Sequence, residues 1–385
     1  MGVIEHLTLH STSGTTNGDD MNLSPLAVKT ALYMVTTPFP FISFFLSSSF
    51  HTASVSAMSP SIPRIIDSHL HVWADTDEAE AFPFSDGQTP PETLKNVGSA
   101  SALLEQMQAC KEQYDIVGAL IIQPINYKFD HSYVTHAIQK HPRRFKGMML
   151  HNPSLSAHEA VAELEDLVLK GYVGVRFNPY LWPKCSSSSS TTTTTMGDDT
   201  HGSSWTPMST LGGSGLAVYE RCAELNMPVG IMCFQGLQLH YDDIIQLLES
   251  SPKTNMILDH FGFTQFTKEG DAAFDQLVRL ADFPQVVIKI SALFRLNDKY
   301  PYERVRKERF EPLLKAFGHD RLMFGTDFPF VLDSEQVPDK YVYESAVGLL
   351  LSWMDGNDDA ARDAILGGTA ERLFGSWEVP SGPGG

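Results

Sequence analysis

The chain alternates short apolar segments with amphipathic segments eight times between residues 65 and 327, and this alternation restricts the fold more than any other feature. The apolar segments have the length and the β-branched content of buried strands, and apolar residues recur at helical spacing in the segments between them. Eight strands that alternate with helices predict an α/β fold, the (β/α)₈ TIM barrel. The predicted strands cover residues 65–71, 117–123, 145–150, 172–177, 228–234, 255–260, 285–291 and 321–327. The predicted helices cover residues 102–110, 133–140, 157–170, 216–225, 242–248, 272–281, 304–317, 341–354 and 358–374.

A leader precedes the predicted barrel. Residues 1–60 are rich in serine and threonine, and the stretch 31–50 is apolar without any charged side chain. Pro38 and Pro40 interrupt this stretch, so we expect no stable membrane span. Small residues at 55–57 resemble a cleavage site, which favours targeting to an organelle, a plastid or a mitochondrion, with the cytoplasm as the alternative.

A tract of serines and threonines interrupts the alternation after the fourth strand. Such a tract cannot bury an apolar core, so we expect a disordered insertion at 184–213 within a barrel that spans 62–376. Replacing the insertion with a short linker should leave the melting temperature almost unchanged. Residues 377–385 are predicted to form a flexible tail.

Charge and cysteine content restrict the possible partners. The net charge of −18 argues against nucleic acid, because no basic surface is available to displace counterions from phosphates. The four cysteines are far apart and form no Cys-x-x-Cys pair, which excludes a zinc ribbon or a thioredoxin-type site. A small molecule is the expected partner, and homo-oligomerisation stays open.

Side chains suited to metal or proton chemistry lie at the ends of three predicted strands. His69 and His71 are two residues apart on the first strand, so they project from the same face. His260 ends the sixth strand and Asp327 ends the eighth. Because strand ends meet at one mouth of a barrel, we expect these side chains to lie close together. Singly, each has a structural explanation, such as a helix cap for Asp327 or a core position for His260.

Four short motifs lie at predicted strand ends: DSHLH at 67–71, GVRFN at 174–178, LDHFG at 258–262 and FGTDFP at 324–329. These motifs resemble those of the amidohydrolase superfamily, in the amidohydrolase-related branch that includes lactonases and decarboxylases. The segment 365–374 is similar to the last helix of that family. The resemblance covers residues 62–376 apart from the insertion.

The resemblance implies one divalent metal, zinc or manganese, with His69, His71 and Asp327 as its ligands. It also implies a hydrolytic water that Asp327 activates, with His260 as the second catalytic candidate. Some lactonases of this branch work without a metal, so a metal-independent site is the other possibility.

Two departures from the superfamily pattern affect the metal. No lysine is present at 172–177, where the superfamily carries a bridging lysine, so we expect no binuclear site. The usual histidine at the end of the fifth strand is also absent. Cys233 lies there, either as a zinc ligand or as a buried, unreactive thiol.

Other polar residues at predicted strand ends are candidates for substrate contacts. Arginine presents a fork of donors that suits a carboxylate, although each candidate also fits a salt-bridged surface position. The substrate-binding candidates are Arg176, Asn178, Gln123 and Arg295, and further candidates are His151, Tyr180 and His240.

The leading hypothesis is a hydrolase that opens a small lactone or cyclic ester carrying a carboxylate. Asp327 takes a proton from water while the histidines polarise the carbonyl, directly or through one metal. The alternative is a metal-dependent nonoxidative decarboxylase, which the missing histidine of the fifth strand disfavours. A third hypothesis is a non-catalytic barrel that binds a ligand, but such a barrel has no need of a general base.

Overall fold

A computed structural model describes residues 64–184, 205–338, 341–354 and 359–377. Within these residues, eight strands form one parallel sheet in which each strand pairs with the next along the chain. The strands are β1 (Arg64–Leu70), β2 (Asp115–Ile122), β3 (Phe145–Leu150), β4 (Tyr172–Phe177), β5 (Val229–Ile231), β6 (Met256–Leu258), β7 (Val286–Ile290) and β8 (Leu322–Phe324). The helices are α1 (Ala100–Ala109), α2 (Ser132–Lys140), α3 (Ala157–Leu169), α4 (Ser214–Glu224), α5 (Tyr241–Ser250), α6 (Lys268–Arg279), α7 (Glu303–Val305), α8 (Glu311–Phe317), α9 (Tyr343–Trp353), α10 (Asp359–Asp363) and α11 (Thr369–Phe374).

Backbone hydrogen bonds beyond the ends of the strands bring β1 and β8 together. The N–H of Asp327 donates to the carbonyl of His69 at 2.8 Å, and the N–H of His71 donates to the carbonyl of Phe328 at 2.7 Å. Gly325 allows this approach, because a Cβ at that position would lie 2.6 Å from the Cβ of His69. The (β/α)₈ barrel predicted from the alternation is therefore confirmed.

Apolar side chains fill the interior of the barrel and leave its polar groups to one end. Strand residues that face inward form one cluster, which the last helix and Trp377 also join. A larger cluster lies between the outer faces of the strands and the helices. The inward-facing strand residues of the first cluster are Ile66, Leu120, Ile122, Met148, Ile257, Val287 and Met323.

The last four strands are shorter than predicted. β5, β6 and β8 each have three residues and β7 has five, where the sequence predicts six or seven. Beyond β6 and β8 the backbone turns into the left-handed region, with φ of +51° at His260 and +62° at Asp327. A backbone in this region cannot continue a strand, so the strands end before the residues that the sequence places at their ends.

The insertion was predicted at 184–213, and its predicted C-terminal boundary lies too far along the chain. Lys184 and Trp205 form an antiparallel bridge, and Met208 is buried. The Asp243 carboxylate accepts hydrogen bonds from the backbone N–H groups of Met208 and Ser209 at 2.7 and 2.9 Å. Residues 205–213 therefore pack on the barrel, and a replacement without loss of stability remains an expectation only for 185–204.

The predicted ends of the chain need one correction. Trp377 is buried against the interior cluster and lies under the ammonium of Lys146, so it belongs to the barrel and not to a tail. The predicted leader, the rest of the tail and residues 185–204 lie outside the described residues. Among the helices that the structure describes, none is both long enough and apolar enough to cross a membrane.

Candidate active site

Four side chains predicted from strand ends meet at the mouth of the barrel. Asp327 Oδ1 lies 3.5 Å from Nε2 of His71 and 3.9 Å from Nε2 of both His69 and His260. All four residues are buried, and the rings of His69 and His260 lie 4.3 Å apart. The ends of β1, β6 and β8 thus direct one carboxylate oxygen and three imidazole nitrogens to a common point.

The backbone that presents these groups is strained. Asp327 and His260 adopt left-handed conformations, and so do Phe261 next to His260 and Ala292 after β7. Such conformations are uncommon outside glycine and concentrate at functional sites, where the surrounding structure stabilises them. The fold therefore holds the mouth in a geometry that the local sequence does not favour.

Hydrogen bonds on the far side of each ring orient His71 and His260. The Nδ1–H of His71 donates to the carbonyl of Ile122 at 2.9 Å, so its Nε2 carries a lone pair when the ring is neutral. His260 Nδ1 lies 2.8 Å from the hydroxyl of Ser291. Burial lowers the pKa of His260 to about 3, although Asp327 opposes this shift. His260 is therefore neutral at physiological pH.

His69 contacts two buried charges that the sequence analysis did not assign. Its Nδ1 lies 3.1 Å from Nζ of Lys289 and 3.2 Å from Oδ1 of Asp259. Burial and the Lys289 ammonium hold the pKa of His69 well below its usual range. Burial also lowers the pKa of Lys289, to about 8, against the attraction of Asp259. One sequence signal points to Lys289, because it is the single charged residue in the apolar strand β7.

Asp259 links this cluster to Arg176. The Nε–H of Arg176 donates to Oδ2 of Asp259 at 3.1 Å, and Nζ of Lys289 lies 3.5 Å from Oδ1. Burial alone would raise the pKa of Asp259, but the neighbouring His69, Lys289 and Arg176 hold it well below its ordinary value. Asp259 is therefore an anion that orients Arg176 and His69 from behind.

Arg295 forms an ion pair with Asp327. Its Nε and Nη2 lie 2.9 and 2.8 Å from Oδ2 of Asp327, which leaves Oδ1 directed at the histidines. Burial by itself would raise the pKa of Asp327, but Arg295, His260 and His71 together hold it well below its usual range. The carboxylate is therefore ionised at physiological pH.

A cavity of about 220 Å³ opens above this cluster. Two arginines, Arg176 and Arg295, contribute positive charge to its wall, and much of the rest is aromatic or aliphatic. A site of this size and mixed polarity suits a small organic anion with an apolar ring. The lining residues are His71, Pro124, Ile125, Asn126, Arg176, Met232, Phe234, His260, Phe263, Arg295, Asp327 and Phe330.

Two of the predicted substrate contacts are not supported by their placement. The Gln123 side-chain amide donates to the carbonyls of Lys128 and Asp130 at 3.2 and 2.7 Å, so it braces the loop after β2. The Asn178 side chain accepts the N–H of Tyr180 at 3.2 Å and caps the turn after β4. Neither residue lines the cavity.

The further candidates also have structural partners away from the cavity. His151 Nε2 lies 3.1 Å from the hydroxyl of Ser214. The hydroxyl of Tyr180 accepts the N–H of Gln235 at 2.9 Å, and the ring of Tyr180 packs against His240. These three residues shape the surroundings of the mouth.

The donor set fits one divalent metal. His69, His260 and Asp327 each offer one ligand atom, and these atoms all lie within 4.8 Å of one another. His69 Nε2 and Asp327 Oδ1 are buried without a hydrogen-bond partner among the described residues, as expected for groups that await a ligand. Two imidazoles and a carboxylate suit zinc or manganese. The sequence analysis predicted His69, His71 and Asp327 as ligands, whereas the structure groups His69, His260 and Asp327. His71 lies close to this group, with its Nε2 3.5 Å from Oδ1 of Asp327.

Cys233 does not join this group among the described residues. Burial raises the pKa of its thiol far above the ordinary value, so the thiolate that zinc requires is disfavoured. The buried, unreactive thiol is therefore the better of the two interpretations.

We expect the purified protein to hold no more than about one equivalent of zinc or manganese, the stoichiometry of a single-metal catalytic site. The other buried carboxylates near the histidines are Asp259, which is paired with Arg176, and Asp67, which accepts a hydrogen bond from Thr326, so a second ion lacks a free carboxylate ligand among the described residues. Elemental analysis before and after dialysis against a chelator measures the bound metal. Two tightly held equivalents would contradict a single-metal site.

Comparison with known proteins places these features in a family. The model of the amidohydrolase family matches residues 66–376, which include the carboxyl ends of all eight strands. The 4-sulfomuconolactone hydrolase of Rhizobium radiobacter is 28% identical over 328 residues, covering 80% of this chain and 89% of that protein. The L-fucono-1,5-lactonase of Burkholderia multivorans is 32% identical over 132 residues, covering 31% of this chain and 42% of that protein. The crystal structure of a probable 2-pyrone-4,6-dicarboxylic acid hydrolase from Acinetobacter baumannii has a TM-score of 0.60 at 17% identity, covering 81% of this chain and 99% of that one.

Proposed function

This chain belongs to the amidohydrolase family and is a hydrolase, and we propose that it opens a small lactone or cyclic ester that carries a carboxylate. One observation carries the proposal: the Asp327 carboxylate, paired with Arg295, faces three imidazoles beside a cavity bordered by two arginines. The similarity to proteins named for hydrolysis of lactones supports the reaction class.

The chemistry follows from the free oxygen of Asp327. A water between Oδ1 and a bound carbonyl gives its proton to the carboxylate while its oxygen attacks the carbonyl carbon. The bond between that carbon and the ring oxygen then breaks, and the proton held by Asp327 passes to the leaving oxygen. The product is an open-chain acid with one new hydroxyl or keto group. A divalent metal held by His69, His260 and Asp327 would supply additional polarisation of the carbonyl and a lower pKa for water.

The arginines and aromatic rings of the wall favour an anionic substrate with a ring. The guanidinium of Arg295 lies 5.1 Å from the ring of Phe294 and 5.0 Å from that of Phe330, so its plane is held at the cavity. Because Arg295 is more exposed than Arg176, we assign the substrate carboxylate to the free edge of Arg295. Phe234 and Phe263 then lie where the lactone ring packs.

Pairs of five- and six-membered unsaturated lactones that differ only in a carboxylate or its methyl ester test this assignment. We expect kcat/KM for the acid to exceed that for the ester by about 10- to 100-fold, the value of one charge-assisted hydrogen bond. Product formation is followed by chromatography. Equal rates for acid and ester would contradict the carboxylate assignment, and no turnover of any lactone would contradict the function.

The decarboxylase alternative lacks a supporting observation at β5. The residues that follow this strand, Met232 and Cys233, provide a thioether and a protonated thiol in place of the imidazole that would hold a metal firmly. We therefore propose hydrolysis and not decarboxylation.

Replacing Arg295 with methionine should create an acid limb in the pH–rate profile. In the wild type the pKa of Asp327 lies well below its usual range, so mild acid does not protonate this base. Burial raises the pKa of Asp327 and the guanidinium of Arg295 opposes this effect, so the pKa rises when the guanidinium is removed. Activity should then fall as the pH decreases through the raised pKa and recover above it.

The profile of log kcat/KM against pH measures this change. The control is Arg304→Met, which removes an exposed arginine that pairs with Glu308. A pH profile of Arg295→Met that is identical to that of the wild type, without an added acid limb, would show that Arg295 does not control the ionisation of Asp327.

A further inference from the structure

We propose that Asn126 is a specificity-determining residue whose side-chain oxygen accepts a hydrogen bond from a hydroxyl group on the substrate ring. The inference rests on the proposed function and narrows its substrate class to hydroxylated lactones that carry a carboxylate. Asn126 lies in the short helical turn Ile125–Tyr127 that follows β2, and it lines the cavity beside the catalytic cluster.

The first step concerns which end of the carboxamide is free. The Nδ2 of Asn126 donates to the carbonyl oxygen of Gln88 at 2.7 Å. A carbonyl oxygen can only accept, so the amide nitrogen faces Gln88 and the side-chain oxygen Oδ1 points elsewhere. Among the described residues, none donates a hydrogen bond to Oδ1, and this oxygen is not sealed from solvent. Because Asn126 lines the cavity and Gln88 does not, Oδ1 is available to a molecule in the cavity.

The second step concerns how firmly the carboxamide is held. Asn126 is 8% exposed, and its backbone carbonyl accepts the N–H of Ser85 at 2.8 Å, so its backbone and its side chain are both tied to the loop that follows β1. The next residue, Tyr127, is buried, and its hydroxyl accepts the N–H of Ala74 at 2.8 Å. An acceptor fixed in this way loses little conformational freedom on binding, so it can discriminate between ligands.

The third step concerns the donor that fits Oδ1. Pro124 and Ile125 precede Asn126 in the wall, so this acceptor has apolar neighbours along the chain. The oxygen repels an anion, and the guanidinium groups of Arg176 and Arg295 in the same wall disfavour an ammonium. The donor that remains for a lactone ring is a neutral hydroxyl. A ring without a hydroxyl displaces water from Oδ1 and leaves the acceptor unpaired, which lowers the affinity for that ring.

Hydroxybenzoates test this proposal without turnover, because they carry one carboxylate on an apolar ring and have no ester to open. Isothermal titration calorimetry compares benzoate with 3-hydroxybenzoate and 4-hydroxybenzoate, which place the hydroxyl at two distances from the carboxylate. We expect at least one hydroxybenzoate to bind the wild-type protein about 10-fold more tightly than benzoate, the value of one hydrogen bond. If neither binds more tightly than benzoate, the proposal is overturned.

Two substitutions separate a contact with the ligand from a structural role. Asn126→Leu removes both polar atoms, and Asn126→Asp keeps an acceptor oxygen but cannot donate to the carbonyl of Gln88. We expect the preference for hydroxybenzoate over benzoate to disappear in Asn126→Leu and to persist in Asn126→Asp, although the added negative charge weakens the binding of both ligands. Persistence of the preference in Asn126→Leu, or its loss in both variants, would overturn the proposal. If one variant does not fold, comparison of the other with the wild type still decides the question.

The matched control is Tyr127→Phe, on the same turn. This change removes the hydroxyl that holds the backbone of Ala74, and Tyr127 does not line the cavity. The variant should keep the preference for hydroxybenzoate, because the carboxamide of Asn126 is unchanged. Loss of the preference in Tyr127→Phe would assign it to the geometry of the loop and contradict the proposed contact.

Carboxylated lactones with and without a ring hydroxyl connect this contact to turnover. We expect the wild type to favour the hydroxylated lactone in kcat/KM by about 10-fold, and Asn126→Leu to lose this preference. Turnover with equal kcat/KM for the two lactones would overturn the proposal and leave lactone hydrolysis standing. Conversely, a preference for hydroxybenzoate that depends on Asn126, in a protein that opens no lactone, would contradict the function alone.

Discussion

Replacing Asp327 with asparagine should leave a folded barrel that has lost about 10²–10⁴-fold in kcat, the usual contribution of general acid–base catalysis. The carboxylate accepts a proton from water, and its amide isostere cannot. The amide has almost the same shape and still offers an oxygen to Arg295, so binding of substrate should change less than kcat. Steady-state kinetics with a carboxylated lactone, together with circular dichroism, measure both effects.

A matched control is Asp333→Asn. Asp333 is also buried and follows β8, but its carboxylate accepts hydrogen bonds from Thr93 at 3.1 Å and Gln336 at 2.6 Å. This variant should keep its kcat. A loss confined to KM in Asp327→Asn would mean that Asp327 only positions substrate, and full activity would remove the proposed mechanism.

Replacing Asp259 with asparagine should lower the free energy of unfolding by about 3–5 kcal/mol, the usual cost of removing one partner from a buried ion pair. Arg176 and Lys289 are both buried and would lose the anion between them. The folded-state pKa of Asp259 lies below its ordinary value, so its contribution is present at neutral pH and is lost as the pH falls. Asp259→Asn should therefore also flatten the acid side of the stability profile.

Urea denaturation at several pH values measures this loss. The control is Asp166→Asn, which removes an exposed carboxylate that pairs with Lys170 one helical turn away. Its effect should stay below about 0.5 kcal/mol, as for other exposed pairs. If Asp259→Asn also lowered the free energy of unfolding by less than about 0.5 kcal/mol, the buried cluster would not depend on this anion.

The fold could be predicted because every strand of the barrel has a local apolar signal. The ends of β6 and β8 could not be placed, because the left-handed turns at His260 and Asp327 leave no trace in the hydrophobic pattern. The extent of the insertion was misjudged because composition was given more weight than Trp205 and Met208. These apolar residues return the chain to the barrel before the predicted boundary at 213.

The meeting of His69, His71, His260 and Asp327 could be predicted because the strand ends of a barrel converge. Position at a strand end does not reveal whether a side chain faces the cavity. Gln123 was predicted to contact substrate because of its position, but its side chain braces a loop. Asp259 and Lys289 escaped assignment for a related reason.

The ion pair between Asp259 and Lys289 joins the end of β6 to β7, and one sequence does not show which buried charges face each other across strands. The lysine within VVIKI was nevertheless a usable signal. A charge inside a fully buried strand needs a partner, and functional sites often supply one.

The central claim is that this site hydrolyses a lactone with a water activated by Asp327. A single-turnover reaction of the wild-type enzyme with a carboxylated lactone in H₂¹⁸O tests it most directly, with mass spectrometry of the product and the headspace. We predict one ¹⁸O atom in the newly formed carboxyl group, no release of CO₂, and product formation that is about 10²–10⁴-fold slower in Asp327→Asn. Release of CO₂ from the substrate carboxylate, or a ring-opened product without ¹⁸O, would contradict the account.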